Sequence, residues 1–188
     1  MSAPTPTGRL VRSGAGHDLV LTRSLPLPVA DVWVGLTDPE RTARWFGRWE
    51  GEGAVGATIR VQLGFEETAP WVGMTILACE EPRLLRVLSV EEGNEAGADG
   101  TAGNDDDNDD GTDSGGGTWD ISTELTASAS GTELRFVMHG IDPAAVGEIG
   151  PGWEYYLDQF EASLSGGPLP DFSDYFPAQR DYFEAQAR

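Results

Sequence analysis

Few charged or polar side chains in this sequence could act on a small molecule, and most of them lie on segments that alternate like strands. Arg60 and Arg86 fall in two such segments, where a guanidinium can hold a carboxylate or enol oxygen through paired hydrogen bonds. Glu67 and His139 could move protons beside them. The same pattern also allows both arginines to lie on the outer face of a sheet, paired with acids, and His139 to be a partly exposed strand-end residue.

No catalytic signature or cofactor motif is recognisable. His17, His139 and the single cysteine, Cys79, are too widely separated for a His/Cys zinc site, and the sequence has neither a nucleophile elbow nor a phosphate-binding glycine loop. We therefore predict no cofactor. An enzyme built on this chain would be a cyclase, aromatase or lyase. The lone cysteine excludes an internal disulfide, fits a reducing compartment, and is of a residue type that is usually buried.

An acidic, low-complexity segment interrupts the chain at residues 93–117 and predicts a disordered insert in a hairpin. Asp106, Asn108 and Asp110 are spaced as in the first half of a calcium loop. The twelfth position is Gly117, where a bidentate glutamate is expected, so the pattern is incomplete. Weak calcium binding and a solvated loop remain as alternatives, and we predict no established metal site.

Charge and hydropathy exclude several classes of partner. The net charge is -20 and every basic residue is arginine, with no basic stripe of the kind that phosphate backbones require. Nucleic acid and anionic membranes are therefore unfavourable partners. No apolar run is long enough to cross a membrane, and the N-terminus lacks the apolar core of a secretion signal. We expect a cytoplasmic protein without membrane insertion.

The order of predicted elements is a strand, two helices, several strands and a long helix. Pro28 and an apolar face predict the first helix, and Asp38-Pro39 resembles the cap and first turn of the second, over 40–46. The strands are expected at 17–25, 58–65, 71–80, 84–91, 118–127 and 132–139.

The final helix, over 151–165, has the longest helical pattern and ends at Gly166. Its apolar stripe consists of Trp153, Tyr156, Leu157, Phe160 and Leu164. Its opposite face, expected to be wet, carries Glu154, Asp158 and Glu161. Since only this helix can cover the half-apolar strands, we predict an α+β fold with a curved antiparallel sheet around it.

Many large aromatic side chains fall on the predicted inner faces, and large rings across a gap between a sheet and a helix tend to leave space. The alternatives are a ligand-sized cavity of roughly 300 Å³ or more and an ordinary packed core. The candidate ligand-binding residues are Trp33, Trp45, Phe46, Phe65, Trp71, Trp119, Phe136, Met138, Trp153, Tyr156, Leu157, Phe160, Arg60 and Arg86.

Three segments together resemble the AHSA-type (activator of Hsp ATPase homologue-like) branch of the START-like, or SRPBCC, superfamily. They are LTRSLPLPVADVWVGLTDPERTARWFG (21–47), GTELRFVMHG (131–140) and PGWEYYLDQFEASL (151–164). The resemblance implies the helix-grip fold, in which the long helix and the curved sheet enclose a hydrophobic cavity. Members often place a histidine on the cavity face of the last strand. Here Met138 holds that position and His139 is one residue out of phase.

The predicted organisation is a flexible tail over 1–16, a START-like domain over 17–167 and an aromatic extension over 168–188 that packs on this domain or on a partner. The superfamily includes lipid-transfer proteins, polyketide cyclases, hormone receptors and co-chaperone domains. We therefore predict binding of an apolar small molecule such as a lipid, an aromatic or a polyketide-like compound. The alternatives are a cyclase or aromatase using the same cavity, and a co-chaperone-like domain that binds a protein, or a second copy of itself, through the extension.

Overall fold

Eight strands form an antiparallel sheet in the computed structural model, which describes residues 4–14, 16–90 and 118–188. The strands are β1 (Arg9–Ser13), β2 (Gly16–Leu25), β3 (Trp49–Glu50), β4 (Thr58–Gln62), β5 (Trp71–Glu80), β6 (Leu84–Val90), β7 (Asp120–Ser128) and β8 (Gly131–His139). Their order across the sheet is β1-β2-β8-β7-β6-β5-β4-β3. Four α-helices accompany them: α1 (Val29–Thr37), α2 (Pro39–Thr42), α3 (Val146–Ser165) and α4 (Arg180–Glu184).

A curved sheet around the long helix α3 is the architecture that the sequence predicts, and it is confirmed. The predicted strands agree with the observed ones to within about two residues, except that β4 ends at Gln62 rather than at Phe65. Residues 63–70 instead form a loop, closed by a hydrogen bond from the Leu63 amide to the Pro70 carbonyl (2.9 Å). The predicted disordered insert and the incomplete calcium loop lie outside the described residues, which omit 91–117.

A bulge in β5 decides which of its side chains face α3. Ile76 pairs with Val87, whereas two residues later Ala78 pairs with the adjacent Arg86, so Leu77 is the extra residue. An extra residue reverses the alternation of side chains along a strand. Cys79 therefore points to the same inner face as Ile76, although an even spacing would have placed it outside.

Helix α2 begins with a cap that the sequence predicts. The Asp38 carboxylate accepts hydrogen bonds from the amides of Glu40 and Arg41 (both 3.0 Å), which satisfies two free donors at the start of α2. Pro39 occupies the first turn, where its missing amide hydrogen costs nothing. Helix α2 is one turn long, because the chain turns after Thr42 instead of continuing to Phe46.

Helix α3 begins at Val146, five residues before the predicted start, and accommodates Pro151 inside its second turn. It ends at Gly166, whose positive φ of 71° closes the helix in a left-handed cap as predicted. Phe160 and Leu157 are almost completely buried, and burial of each such side chain contributes about 1.5–3 kcal/mol. None of the helices in the described ranges is long and apolar enough to cross a membrane.

Part of the face of α3 that was expected to be wet is covered, because Glu154 is buried and Asp158 is partly buried, whereas Glu161 is exposed as predicted. Glu154 is only 2% exposed and accepts hydrogen bonds from the Gly8 amide (2.6 Å) and the Arg23 guanidinium (2.6 Å). Arg23 also donates to Asp158 (2.7 Å), which in turn accepts from the Tyr175 hydroxyl (2.7 Å). The segment before β1 and the segment after α3 therefore both contact one ion-paired cluster, which lies on the face of α3 opposite its apolar stripe.

Parts of the two segments flanking the core domain adopt regular structure or pack on it. Arg9–Ser13 forms β1 on the edge of the sheet, although 1–16 reads as a tail. In the aromatic extension, Tyr175 and Phe183 are buried against α3 and the N-terminal segment. These two side chains of the extension therefore pack on their own chain, whereas Leu169 and Phe172 are exposed.

Candidate functional site

The buried apolar side chains fall into two clusters with an open space between them. One cluster lies on the inner face of β4 and β5, and the other joins α1, α3, β2, β7 and β8. A cavity of about 310 Å³ lies between them and is lined from both sides, for example by Ile59 and Met74 from the first cluster and Trp33 and Leu157 from the second. The cavity therefore lies between the inner face of the sheet and helices α1, α2 and α3.

Aromatic rings make up much of the cavity wall, and several are fixed in orientation. The indole N–H of Trp45 donates to the Gly35 carbonyl (3.2 Å), and that of Trp49 to the Thr37 carbonyl (3.0 Å). Both acceptors lie in the last turn of α1, whose carbonyls otherwise lack partners. Trp153 from α3 packs against Phe136, with ring centroids 4.4 Å apart. The indole N–H groups of Trp45 and Trp49 are therefore engaged, whereas those of Trp33 and Trp153 have no hydrogen-bond partner among the described residues.

A row of paired residues crosses the inner face of the sheet beneath the cavity. Phe136 of β8 pairs with Thr123 of β7, Thr123 pairs with Leu85 of β6, and Leu85 pairs with Cys79 of β5. All four line the cavity, and we call this row the cavity floor. Cys79 is exposed, which corrects the expectation that it is buried, and Gly53 is exposed as well, so the cavity lining reaches the protein surface at these two residues.

The described residues that line the cavity include no charged side chain. Two of the polar ones are already engaged, because the Thr37 hydroxyl donates to the Trp33 carbonyl (2.8 Å) and the Thr42 hydroxyl to the Pro39 carbonyl (3.2 Å). Thr123 differs from them. It is 8% exposed, and its hydroxyl has no hydrogen-bond partner among the described residues.

Of the candidate ligand-binding residues, those that line the cavity are Trp33, Trp45, Phe46, Phe136, Trp153 and Leu157. Others pack in the core beside it without lining it: Phe65, Trp119, Met138, Tyr156 and Phe160. Phe65 lies in the loop after β4. Trp119 precedes β7 and packs edge-to-face with Trp153, with ring centroids 5.9 Å apart. Periodicity indicates which face a residue occupies but not how deep it lies.

The polar candidates Arg60 and Arg86 lie on the outer face of the sheet, away from the cavity. The Arg60 guanidinium lies over the Trp71 ring, 5.0 Å from its centroid, and 3.6 Å from Glu50. Arg86 makes two hydrogen bonds to Asp120 (2.8 and 2.7 Å). The structure therefore agrees with the alternative in which both arginines lie on the outer face and pair with nearby acids. The candidate Trp71 lies on this outer face too, under the Arg60 guanidinium.

His139 joins a polar network on the same outer face. Its Nε2 lies 2.8 Å from the Ser122 hydroxyl and its Nδ1 3.3 Å from Asp18. These distances resemble those of a Ser-His-Asp hydrolase triad. Ser122, however, is 6% exposed and lies in the middle of β7, so a substrate has little access to its hydroxyl. The network links β2, β7 and β8, with His139 out of phase with the cavity as the sequence indicates.

A buried phenol connects α3 to the loop over 63–70. The Tyr156 hydroxyl donates to the Glu66 carboxylate (2.6 Å), and the Tyr156 ring meets the edge of Phe46, which lines the cavity. Burial raises the pKa of Tyr156, and the hydrogen bond to Glu66 raises it further, so the phenol stays protonated at neutral pH. The adjacent Glu67 is exposed and makes no contact with the cavity.

Metal ligands are not clustered in the part of the chain that the structure describes, where no group of three His, Cys, Asp or Glu side chains could hold an ion. Asp106, Asn108 and Asp110 lie outside that part, so weak calcium binding and a solvated loop both stay as alternatives for them.

Three residues that define the cavity were not among the candidates. Trp49 lies just beyond the segment that carries the aromatic pair Trp45-Phe46, and its indole could have been counted with theirs. Thr123 alternates with inward apolar residues, which is a usable signal for a buried hydroxyl. Cys79 had no such signal, because the bulge that turns it inward has no mark in the sequence.

Comparisons with known proteins agree with this architecture. The family model described as Activator of Hsp90 ATPase homolog 1-like protein matches residues 26–165. CalU16 from Micromonospora echinospora is similar in structure, with 22% identity, a TM-score of 0.67 and 98% of each chain covered. DynU16, a protein in the dynemicin biosynthetic locus, has 22% identity and a TM-score of 0.62 over 82% of this chain and 50% of its own.

A third similar structure, MLL2253 from Mesorhizobium loti, has 20% identity and a TM-score of 0.60 over 81% of this chain and 99% of its own. No curated protein matches the chain significantly. At these identities the structural likeness establishes the fold and nothing finer.

Proposed function

The chain belongs to the Activator of Hsp90 ATPase homolog 1-like family, an AHSA-type branch of the SRPBCC superfamily, and on this premise we propose that it binds an apolar small molecule in the cavity between α3 and the sheet. The single observation that supports this proposal most is the cavity itself. It measures about 310 Å³, is lined mainly by aliphatic and aromatic side chains, and reaches the protein surface at Cys79 and Gly53. Pockets of about 300–1,000 Å³ with such linings are typical of small-molecule sites.

The size of the cavity favours a compact ligand over a long-chain lipid. A volume of about 310 Å³ lies at the lower limit for ligand pockets. The walls carry the flat rings of Trp33, Trp45 and Trp153, which pack well against another ring in offset or edge-to-face contacts. An aromatic or small polycyclic compound therefore suits the site better than an extended acyl chain.

Binding is also better supported than catalysis of the cyclase type. Such an enzyme needs a group of suitable pKa within hydrogen-bond reach of its substrate. Arg60, Arg86 and His139, the groups that might have supplied this chemistry, lie on the outer face of the sheet. Among the described residues lining the cavity, there is no carboxylate, histidine, lysine or arginine that could act as a general acid or base.

A neutral fluorescent probe tests the proposal. N-phenyl-1-naphthylamine gains fluorescence when it enters an apolar site, and we expect saturable binding at a one-to-one ratio. Val87→Phe places a ring into the cavity from the inner face of β6 and should weaken this binding by about tenfold or more, since it removes the space. Leu88→Phe is the matched control, because it adds the same ring to the next residue, on the opposite face.

The proposal fails if the wild-type protein does not bind the probe, or if Val87→Phe and Leu88→Phe bind it equally well while both remain folded by circular dichroism. Loss of binding in both variants would also contradict it, because Leu88 has no contact with the cavity.

A further inference from the structure

Resting on the proposed function, we infer that the ligand is an uncharged ring compound with one hydrogen-bonding oxygen, and that this oxygen meets the hydroxyl of Thr123, which lies in the cavity floor between Phe136 and Leu85. The inference names the chemistry that the cavity selects. It follows from the one lining hydroxyl that has no hydrogen-bond partner among the described residues, from its position relative to the opening, and from the absence of charged side chains in the lining.

The Thr123 hydroxyl is the hydroxyl in the cavity lining that is free to bond to a ligand. It faces the cavity from the inner face of β7 and is 8% exposed. A hydroxyl that faces a cavity can bond to water, and a ligand that displaces this water must replace the hydrogen bond or lose affinity. The hydroxyls of Thr37 and Thr42 on the same lining already bond to backbone carbonyls. Thr123 has no such partner among the described residues, so an oxygen on the ligand would satisfy it.

The cavity floor also gives the orientation of the ligand. Thr123 and Cys79 are separated by Leu85, which is two steps across the sheet. Neighbouring strands lie about 4.8 Å apart, so the two backbone positions are roughly 10 Å from each other. Since Cys79 is exposed and Thr123 is buried, the oxygen enters first and the hydrocarbon part lies over Leu85 towards the opening. A fused two-ring system with one polar substituent matches this distance.

The lining excludes charged ligands of the same shape. The described lining residues include no arginine, lysine or histidine to pair with a carboxylate, and no acid to pair with an amine. Moving an unpaired charge into such a site costs several kcal/mol more than moving the neutral analogue. A neutral carbonyl or hydroxyl compound is therefore favoured over its carboxylate counterpart.

Three probes with the same ring system test the inference: naphthalene, 2-naphthol and 2-naphthoate at pH 7, titrated against the intrinsic tryptophan fluorescence of the full chain. We expect 2-naphthol to bind about three- to tenfold more tightly than naphthalene, which is the usual effect of one additional hydrogen bond. We expect 2-naphthoate to bind more weakly than either.

Thr123→Val keeps the shape of the side chain and removes the hydroxyl, so the advantage of 2-naphthol over naphthalene should disappear while naphthalene affinity stays within about twofold. Thr42→Val is the matched control, because it also lines the cavity but its hydroxyl is already bonded to Pro39. In this variant the 2-naphthol advantage should persist.

The outcomes distinguish this inference from the proposed function. If naphthalene and 2-naphthol bind equally to the wild type, or if Thr123→Val leaves the advantage intact, the inference is wrong although the cavity binds ligands. Tighter binding of 2-naphthoate than of 2-naphthol would also overturn it. If none of the three probes binds, the proposed function itself fails.

Discussion

At the scale of single residues, close backbone approaches shape the cavity as much as large rings do. Gly47 lies on the cavity wall between Phe46 and the end of β4, and a Cβ at this position would lie 1.7 Å from the Gln62 carbonyl oxygen. The amide of Gly64 bonds to the Phe46 carbonyl (3.2 Å) and holds the two segments together. Only glycine lets the backbone pass here, so the position of Phe46 in the cavity wall depends on a residue without a side chain.

Gly47→Ala is therefore expected to lower the free energy of unfolding by about 2–4 kcal/mol, because either the backbone around residue 47 or the end of β4 must move to make room for the methyl group. Urea denaturation measures this change. Gly64→Ala is the control, since a Cβ there meets nothing within 4 Å, and it should cost less than about 1 kcal/mol. Equal effects of the two substitutions would contradict the packing described for Gly47.

The Arg86–Asp120 pair gives a prediction for pH dependence. The hydrogen bond from Arg86 lowers the pKa of Asp120 below its ordinary value of about 4. A carboxyl group with a lowered pKa in the folded state stabilises the fold above its unfolded pKa, and this contribution is lost as the pH falls through the folded pKa.

Arg86→Met should therefore reduce the free energy of unfolding by about 1 kcal/mol or less at pH 6, since the pair is partly exposed. The difference from the wild type should shrink between pH 4 and pH 2 as Asp120 is protonated. Urea titrations at pH 6, 4 and 3 measure it. A difference that stays constant over this range would show that the ion pair is not its source.

At the scale of elements, α3 is covered on two sides rather than one. Its inner stripe faces the sheet and the cavity, and its opposite face carries the Arg23–Glu154–Asp158 cluster under the two flanking segments. Phe183 of α4 is 0% exposed and lies directly over Gly150, where a Cβ would come within 2.5 Å of the ring. The extension therefore stabilises the helix that forms one wall of the cavity.

Phe183→Ala is expected to lower the free energy of unfolding by about 3–5 kcal/mol, the usual cost of removing a fully buried ring. Phe172→Ala is the control in the same extension, because Phe172 is 45% exposed, and it should cost less than about 1 kcal/mol. Thermal or urea unfolding compares the two. If Phe183→Ala proves as mild as Phe172→Ala, the extension does not stabilise α3 in the way described.

At the scale of the whole molecule, the sequence predicts the architecture well because each element has its own local signal. The alternation of β7 and β8, the cap at Asp38 and the stripe of α3 are all visible in short windows. The sequence does not show how deeply a side chain is buried or which residues distant in sequence contact each other. The burial of Glu154 depends on Arg23 and Gly8, which are far away in sequence, and no local pattern predicts that they meet.

The same distinction applies to the candidate site. Aromatic residues at inward positions predict the region of the cavity, and several of them line it, such as Trp33 and Trp153. Arg60 and Arg86 alternate with inward residues, so their outward orientation was one of two alternatives that the pattern left open. The inward turn of Cys79 follows from a bulge, and the unpaired state of Thr123 follows from its neighbours. Both of these features are set by the assembled sheet rather than by local sequence.

The reactivity of Cys79 tests the central claim, that the cavity is the ligand site, most directly. Cys79 is the only cysteine, is exposed, and lies at the open end of the cavity floor. The measurement is its rate of alkylation by N-ethylmaleimide with and without saturating N-phenyl-1-naphthylamine. We predict that the rate falls several-fold in proportion to the fraction of protein with bound probe. An unchanged rate at probe concentrations where fluorescence shows saturation would contradict the claim, because the probe would then bind away from the cavity.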